Sequence, residues 1–270
     1  MEGVLRRCAG RSLLLVRRAT VNLNNRSGAM TLYSHETYGE RVAGVYDEWH
    51  SEYDPRAIDM LAELAHGGKA LELGIGTGRI ALPLSARGVE VHGIDAAISM
   101  ISRLRSKPGS EKITITQGNF ADVAVEQKFA LVYVVFNTFF ALTTQEAQVQ
   151  CFRNVASRLS EGGCFVIEAF VPDLTRFVRD QVNLVTKITV DEVQLDVGQH
   201  DPLTQRVVSQ KVVIKDGKIR QFPVQIRYAW PAELDLMAQL AGLRLRERWS
   251  SWTREPLTAQ SMKHISVYES

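Results

Sequence analysis

The sequence predicts an α/β fold: a doubly wound, mostly parallel sheet of seven strands, with an antiparallel strand insert near the C-terminus. Two observations carry this. From Lys69 to about residue 170, short apolar runs alternate with helical segments, the pattern of a parallel sheet buried on both faces. Beyond Pro172, long alternating strands follow one another without helices between them, which reads as an antiparallel meander.

Residues 1–30 carry Arg6, Arg7, Arg11, Arg17, Arg18 and Arg26 against a single acid, Glu2, and lack any core-forming periodicity. They read as a disordered extension with Met30 opening the functional chain, the alternative being an organellar transit peptide. Residues 31–270 read as one domain that starts with a cap helix region over 31–66. There Tyr38, Val42 and Tyr46 share helical spacing, and "RAIDMLAELAH" places Ile58, Leu61 and Leu64 on one face. "ALELG", "VEVHGID", "ITITQGN", "FALVYVVFN" and "GCFVIEAF" are the strands that follow. "GRIALPLSARG", "ISMISRLRS" and "TTQEAQVQCFRNVASRLS" are the helices between them. The insert, at about 185–230, reads as three strands: "TKITVDEVQLD", "QRVVSQKVVIK" and "IRQFPVQIRYAW". A last helix starts at Pro231 and stops near Gly242. "RLRERWSSW" and "KHISVYE" close the chain as a strand pair.

Composition narrows the function classes. Hydrophobic content of 45% and charged content of 23% are those of a globular protein with a core. The net charge is only +2, the first thirty residues carrying +5 and the remainder −3, so the body is mildly acidic. No basic stripe with interleaved aromatics marks the body, so nucleic acid is disfavoured as a partner. Cys8, Cys151 and Cys164 are far apart and show no metal-ligand spacing, which points to a reducing, cytoplasmic setting without a zinc site. No apolar run approaches the roughly 20 residues of a membrane span.

The chemistry concentrates in "ALELGIGTGRIALPLSARGVEVHGID", residues 70–95. A strand enters a glycine turn, and the glycines let the backbone approach a ligand where the next helix begins. No Gly-Lys-Ser/Thr follows, so the NTP-binding pattern fails. Gly76, Gly78 and Ala81 do satisfy the dinucleotide pattern GxGxxA, and Asp95 lies about where a ribose-binding acid belongs. Three features break the tie. Glu72 sits inside the first strand, where a dinucleotide site has an apolar residue. "QGNF" (117–120) ends the third strand with an amide suited to an adenine edge. The sheet closes with a late strand pair after the insert.

With Glu72, Gly74, Gly76 and Gly78 the chain shows ExGxGxG in full. It resembles the class I S-adenosylmethionine-dependent methyltransferases, which have a Rossmann-like fold. "GIDAAISM" resembles that family's GIDxSxxM, with Ala97 in place of the common serine. The resemblance implies S-adenosyl-L-methionine as cofactor and assigns roles position by position. Gly74, Gly76 and Gly78 would pass beneath the methionine and ribose moieties, and Glu72 would organise the loop and help hold the amino end. Asp95 would accept from the ribose hydroxyls, with Ala96 against the adenine. Asn119 and Phe120 would meet the adenine edge. Phe136 and Asn137 would lie beside the methionine amine and methyl group, and Tyr38 and Tyr46 would close the site from the cap.

Methyl transfer from a sulfonium needs alignment and exclusion of water more than covalent help. No obvious catalytic dyad is present. Glu168, at the end of "CFVIE", and His50, in "YDEWHSEYDP", are the candidates to anchor an amine or take a proton. Trp49, Phe140 and Trp230 are candidates to line an acceptor pocket, and Arg227 to recognise an anionic group. The insert is sized as a lid over such a pocket or as a contact between two copies. The Asn/Asp-Pro-Pro-aromatic signature of DNA amino-methylases is absent, because Asn-Thr-Phe-Phe follows Phe136. The whole resembles small-molecule methyltransferases acting on an amine, an indole-type carbon or a hydroxyl. An NAD-dependent oxidoreductase and a non-catalytic cofactor-binding protein are the alternatives.

Overall fold

The computed structural model describes residues 33–270, so the expectations for residues 1–30 lie outside it. Five strands run parallel: β1 (Ala70–Leu73), β2 (Val91–Asp95), β3 (Thr114–Gln117), β4 (Phe129–Val134) and β5 (Leu159–Phe170). Near the chain end, β10 (Arg244–Trp249) and β11 (Lys263–Glu269) join the same sheet, with β11 antiparallel to β5 and to β10. The strand order is β10-β11-β5-β4-β1-β2-β3, a seven-stranded sheet of the predicted class. The order reverses between β1 and β4, and a doubly wound sheet opens its ligand crevice at the carboxyl ends of such a pair.

The sheet is buried on both faces because its strands are apolar on both sides. Helices α3 (Pro55–Ala65), α4 (Ala81–Ala86) and α5 (Ile98–Arg105) flank one face, where Leu61, Leu84 and Leu104 pack with Leu131 and Val166. Helices α6 (Gln145–Arg158) and α7 (Pro231–Leu240) cover the other, with Phe152 and Met237 packed against Val132, Phe165 and Tyr268. Local signals set the helix starts. Asp54 accepts the Arg56 amide ahead of Pro55, and Thr144 accepts the Ala147 amide. Among the described residues no helix is long and apolar enough to cross a membrane.

Two parts differ from expectation. The cap contains two short helices, α1 (Thr37–Val42) and α2 (Tyr46–Trp49), because the helical spacing is interrupted by a turn at residues 43–45. The meander has four strands instead of three: β6 (Gln181–Ile188), β7 (Glu192–Asp201), β8 (Arg206–Lys215) and β9 (Lys218–Arg227). "TKITVDEVQLD" is a hairpin. The Thr189 amide donates to the Glu192 carbonyl (2.8 Å) and the Glu192 amide to Thr189 Oγ1 (3.0 Å), around a tip at Val190, which is fully exposed. A β-branched residue at a turn hides it from a search for glycine, proline and asparagine.

A third apolar cluster ties the cap to the meander beyond the sheet edge. Val42 and Val45 of the cap pack with Ala97 and Met100 at the start of α5, and with Val213 and Phe222 of the meander. At the other end of the meander, Arg227 is buried. It donates to Gln148 of α6 (2.6 Å), Gln205 (3.0 Å) and Glu233 of α7 (2.6 Å). Breaking a buried ion pair from one side leaves its partner uncompensated. Arg227→Ala therefore loses about 3 kcal/mol of stability in urea unfolding; a loss below about 1 kcal/mol would show that the network is dispensable.

Candidate active site

The carboxyl ends of β1, β2 and β4 converge on the glycine loop. Gly74, Gly76 and Gly78 have φ of 75°, 55° and 80°, all left-handed. A side chain at Gly78 would meet Leu104 at 2.3 Å, so this glycine lets the loop close onto α5. At Gly76 an added Cβ meets nothing nearer than 4.0 Å, so this peptide faces open space. The Gly76 amide donates to Asp95 Oδ2 (2.8 Å) and the Ala97 amide to Oδ1 (2.9 Å). Asp95 thus joins the glycine loop to the start of α5, and each of its oxygens keeps lone pairs for a further donor. Ala96, beside it, is partly exposed.

Glu72 is buried beneath the loop, where Tyr133 of β4 donates its hydroxyl to Oε2 (2.9 Å). Burial raises its carboxyl to about 8, against the opposing pull of the Tyr133 hydroxyl and the Arg79 charge. Past β3, Asn119 folds into a turn whose side-chain oxygen accepts the Ala121 amide (3.0 Å). The partly buried Phe120 lies near Gly74, its ring 3.8 Å from where a Cβ would be.

At the end of β4, Phe136 and Asn137 both adopt left-handed backbone, with φ of 54° and 66°. For a bulky residue such as Phe136 this is strained and needs external support. Glu168 and Asn137 provide it. The Phe136 amide donates to Glu168 Oε2 (3.2 Å), the Asn137 amide to the Glu168 carbonyl (3.2 Å), and the Phe170 amide to Asn137 Oδ1 (2.7 Å). Glu168 Oε1 accepts from the Trp252 indole (3.1 Å) and from Lys263 (2.8 Å).

The cap closes over the loop through charge. Asp47 accepts from the Thr77 hydroxyl (2.6 Å) and from Lys107 (2.9 Å), which also reaches the Thr77 carbonyl (2.9 Å). These contacts hold the Asp47 carboxyl below its ordinary value despite partial burial. Tyr38 and Tyr46 are half-buried beside Arg79, and burial raises both phenols. The His50 ring lies 4.8 Å from that of Tyr46, and burial with the nearby charges of Arg79 and Lys211 lowers its pKa. Trp49 packs edge-on against Phe222 at 4.6 Å, with Lys211 above its ring.

Several expected site residues lie elsewhere. Phe140 is buried in the core against Phe170 and is not a pocket wall, because the short helical turn at Thr138–Ala141 points it inward. Arg227 spends its donors on Gln148, Gln205 and Glu233 and is not open to an anionic group. Trp230, 41% exposed, caps α7 against Tyr228, away from the glycine loop's contacts. Glu168 is engaged on both oxygens and acts as a brace in place of the expected proton acceptor. Asp47, Arg79, Lys107 and Lys263 were not among the expected site residues. Arg79 alone had a local signal, since it directly follows Gly78. Among the described residues, no group of three or more His, Cys, Asp or Glu is placed to hold a metal ion.

Two stability predictions follow from this geometry. Gly78→Ala adds a clash to the cost of left-handed backbone, so it destabilises more than Gly76→Ala, which costs about 1–2 kcal/mol in urea unfolding; equal losses would remove the packing role of Gly78. The folded chain retains the Glu72 proton that the unfolded chain releases near pH 4.5. The associated stability is full below that pH and is lost as pH rises towards 8. Between pH 5 and 8 the Tm of the wild-type chain should therefore fall further than that of Glu72→Gln, and parallel curves would overturn the assignment.

Comparisons with known proteins agree with this architecture. Residues 70–163 match a family described as a methyltransferase domain. The chain is 27% identical over 237 residues to the cypemycin N-terminal methyltransferase of a Streptomyces species, spanning 86% of this chain and 97% of that protein. Among solved structures, the CcbJ methyltransferase from Streptomyces caelestis superposes with a TM-score of 0.83 at 38% identity, covering 88% of this chain and 99% of that one. S-adenosylmethionine-bound CalS10, an amino pentose methyltransferase from Micromonospora echinaspora, shares the fold with a TM-score of 0.61 at 17% identity, covering 90% and 100%. The nicotinamide reading of Gly76, Gly78 and Ala81 gives way to these matches. The glycine turn after β1, the acid at the end of β2 and near-complete coverage of a methyltransferase at 38% identity lead to one conclusion: the chain belongs to the class I S-adenosylmethionine-dependent methyltransferases.

Proposed function

We propose that the chain transfers the methyl group to an amine nitrogen of a small natural product, with His50 as the proton acceptor. The carrying observation is His50 itself, a histidine with lowered pKa where the cap, Arg79 and the meander meet. An imidazole in that state is neutral at pH 7 and ready to accept a proton. The relatives support the chemistry by name: one is a cypemycin N-terminal methyltransferase and another is an amino pentose methyltransferase.

The residues present fit the cofactor. The open peptide at Gly76 leaves room for its backbone, and the free lone pairs of Asp95 suit a pair of ribose hydroxyls. Ala96, Asn119 and Phe120 would flank the adenine, with Asn119 Nδ2 and the Phe120 amide as the available donors. Glu72 would favour the amino end from below the loop. Tyr38 and Tyr46 would cover it from the cap, and Phe136 would place its ring beside the methyl group. Bound S-adenosylmethionine supplies an electrophilic methyl carbon and a neutral thioether leaving group. The chain's own work is to hold the nucleophile in line, keep water out beneath the cap and meander, and take up at His50 Nδ1 or Nε2 the proton released from nitrogen. The meander, seated on Trp49 through Phe222, would act as the lid.

His50→Gln should lower kcat about 10²–10⁴-fold while leaving the affinity for S-adenosylhomocysteine within about twofold. The wild-type acid limb should lie below pH 6.5 and be absent in the variant. Mass spectrometry of products should show methylation on nitrogen; transfer to oxygen or carbon from an acceptor that also carries an amine would overturn the proposal.

A further inference from the structure

Arg79 is a cation of the site with long hydrogen bonds and, among the described residues, no carboxylate partner. Its guanidinium lies 3.6 Å from the centre of the Phe136 ring and 5.6 Å from that of Tyr46. Its hydrogen bonds go to the His50 carbonyl, the Glu52 carbonyl and the Tyr46 hydroxyl, each at 3.3 Å, longer than the usual range for N–H donors. Arg56, Arg87, Arg227, Arg248 and Arg254 each pair with a carboxylate. Among the described residues Arg79 pairs with none, although it is only partly exposed. A guanidinium in that position lacks the counter-charge that compensates its loss of water.

We infer that Arg79 binds the α-carboxylate of the cofactor's amino-acid end and, through its bonds to the carbonyls of His50 and Glu52, couples cofactor occupancy to ordering of the cap. The inference rests on the cofactor site proposed above. A guanidinium has five donors in a planar fork, so one edge can take a carboxylate bidentately while the rest keep the cap carbonyls. Phe136 supports the plane from below, and Phe136 is itself held by Glu168. Because Arg79 directly follows Gly78, it is fixed to the same loop that would receive the cofactor. Its reach to the His50 backbone makes it a positioning residue for the proton acceptor, and its reach to Tyr46 ties down the adjoining cap helix. Lysine can supply the charge but not the fork.

The test compares two ligands that differ in the amino-acid end: S-adenosylhomocysteine, and 5′-methylthioadenosine, which has neither carboxylate nor ammonium. Calorimetric titration of the full chain should show that Arg79→Met weakens S-adenosylhomocysteine at least 10-fold and leaves 5′-methylthioadenosine within about twofold. Arg79→Lys should fall between. Hydrogen exchange should show residues 46–54 protected by S-adenosylhomocysteine in the wild-type chain, but neither by 5′-methylthioadenosine nor in Arg79→Met. Equal weakening of both ligands, or no weakening, overturns the carboxylate assignment; cap protection that persists in Arg79→Met overturns the coupling. A wild-type chain that binds neither ligand would instead overturn the cofactor site itself, which keeps the two failures distinct.

Discussion

A carboxyl group that is only 4% exposed, as in Glu168, survives burial only if donors surround it, and here they come from three separate parts of the chain. The Phe136 amide arrives from the end of β4, the Trp252 indole from the segment between β10 and β11, and the Lys263 ammonium from the start of β11. Satisfying this one group therefore sets where β4 ends relative to β5 and where the late strand pair docks. It also supports the left-handed backbone at Phe136, which a bulky side chain disfavours. The Phe136 ring then becomes a fixed surface, and the Arg79 guanidinium rests on it.

Around that brace the physical forces divide by region. The sheet is apolar on both faces, so burial by helices on each side leaves only the strand ends for chemistry. The cap and meander are held over those ends differently, by a small apolar cluster and a few directed polar contacts. Asp47, Thr77 and Lys107 secure the cap to the glycine loop, and Tyr33 accepts the Gln225 amide to join the cap to β9. The base of the meander is held more firmly, through the buried Arg227 network against α6 and α7.

One cation, Arg79, acts on four titratable groups of the site. Arg79 lowers the proton affinity of His50, opposes the burial-driven rise at Glu72, and does the same for the phenols of Tyr38 and Tyr46. Glu72 and Asp95 surround the glycine loop with carboxyl groups whose protonation is favoured by burial. A cationic ligand shifts both towards ionisation, because an opposite charge stabilises the charged form.

The alternation of apolar runs and helices, the three glycines and Asp95 were legible in the sequence because each depends on backbone chemistry within a few residues. A left-handed turn favours glycine, and a strand buried on both faces must be apolar along its length. The hairpin at Thr189–Glu192 escaped because Val190 at its tip is β-branched and leaves Asp191 as a lone turn residue within an alternating run. The fates of Phe140, Arg227 and Glu168 depended on tertiary structure alone. An aromatic or charged side chain at a strand end fits a pocket or a core equally well by type, and its neighbours decide which. Trp252 and Lys263 meet Glu168 across 84 and 95 residues, and only once β11 has paired beside β5. Local sequence could announce a nucleotide loop, but only the assembled sheet could show which charges pair with a carboxylate and which, like Arg79, rest on aromatic rings and backbone carbonyls.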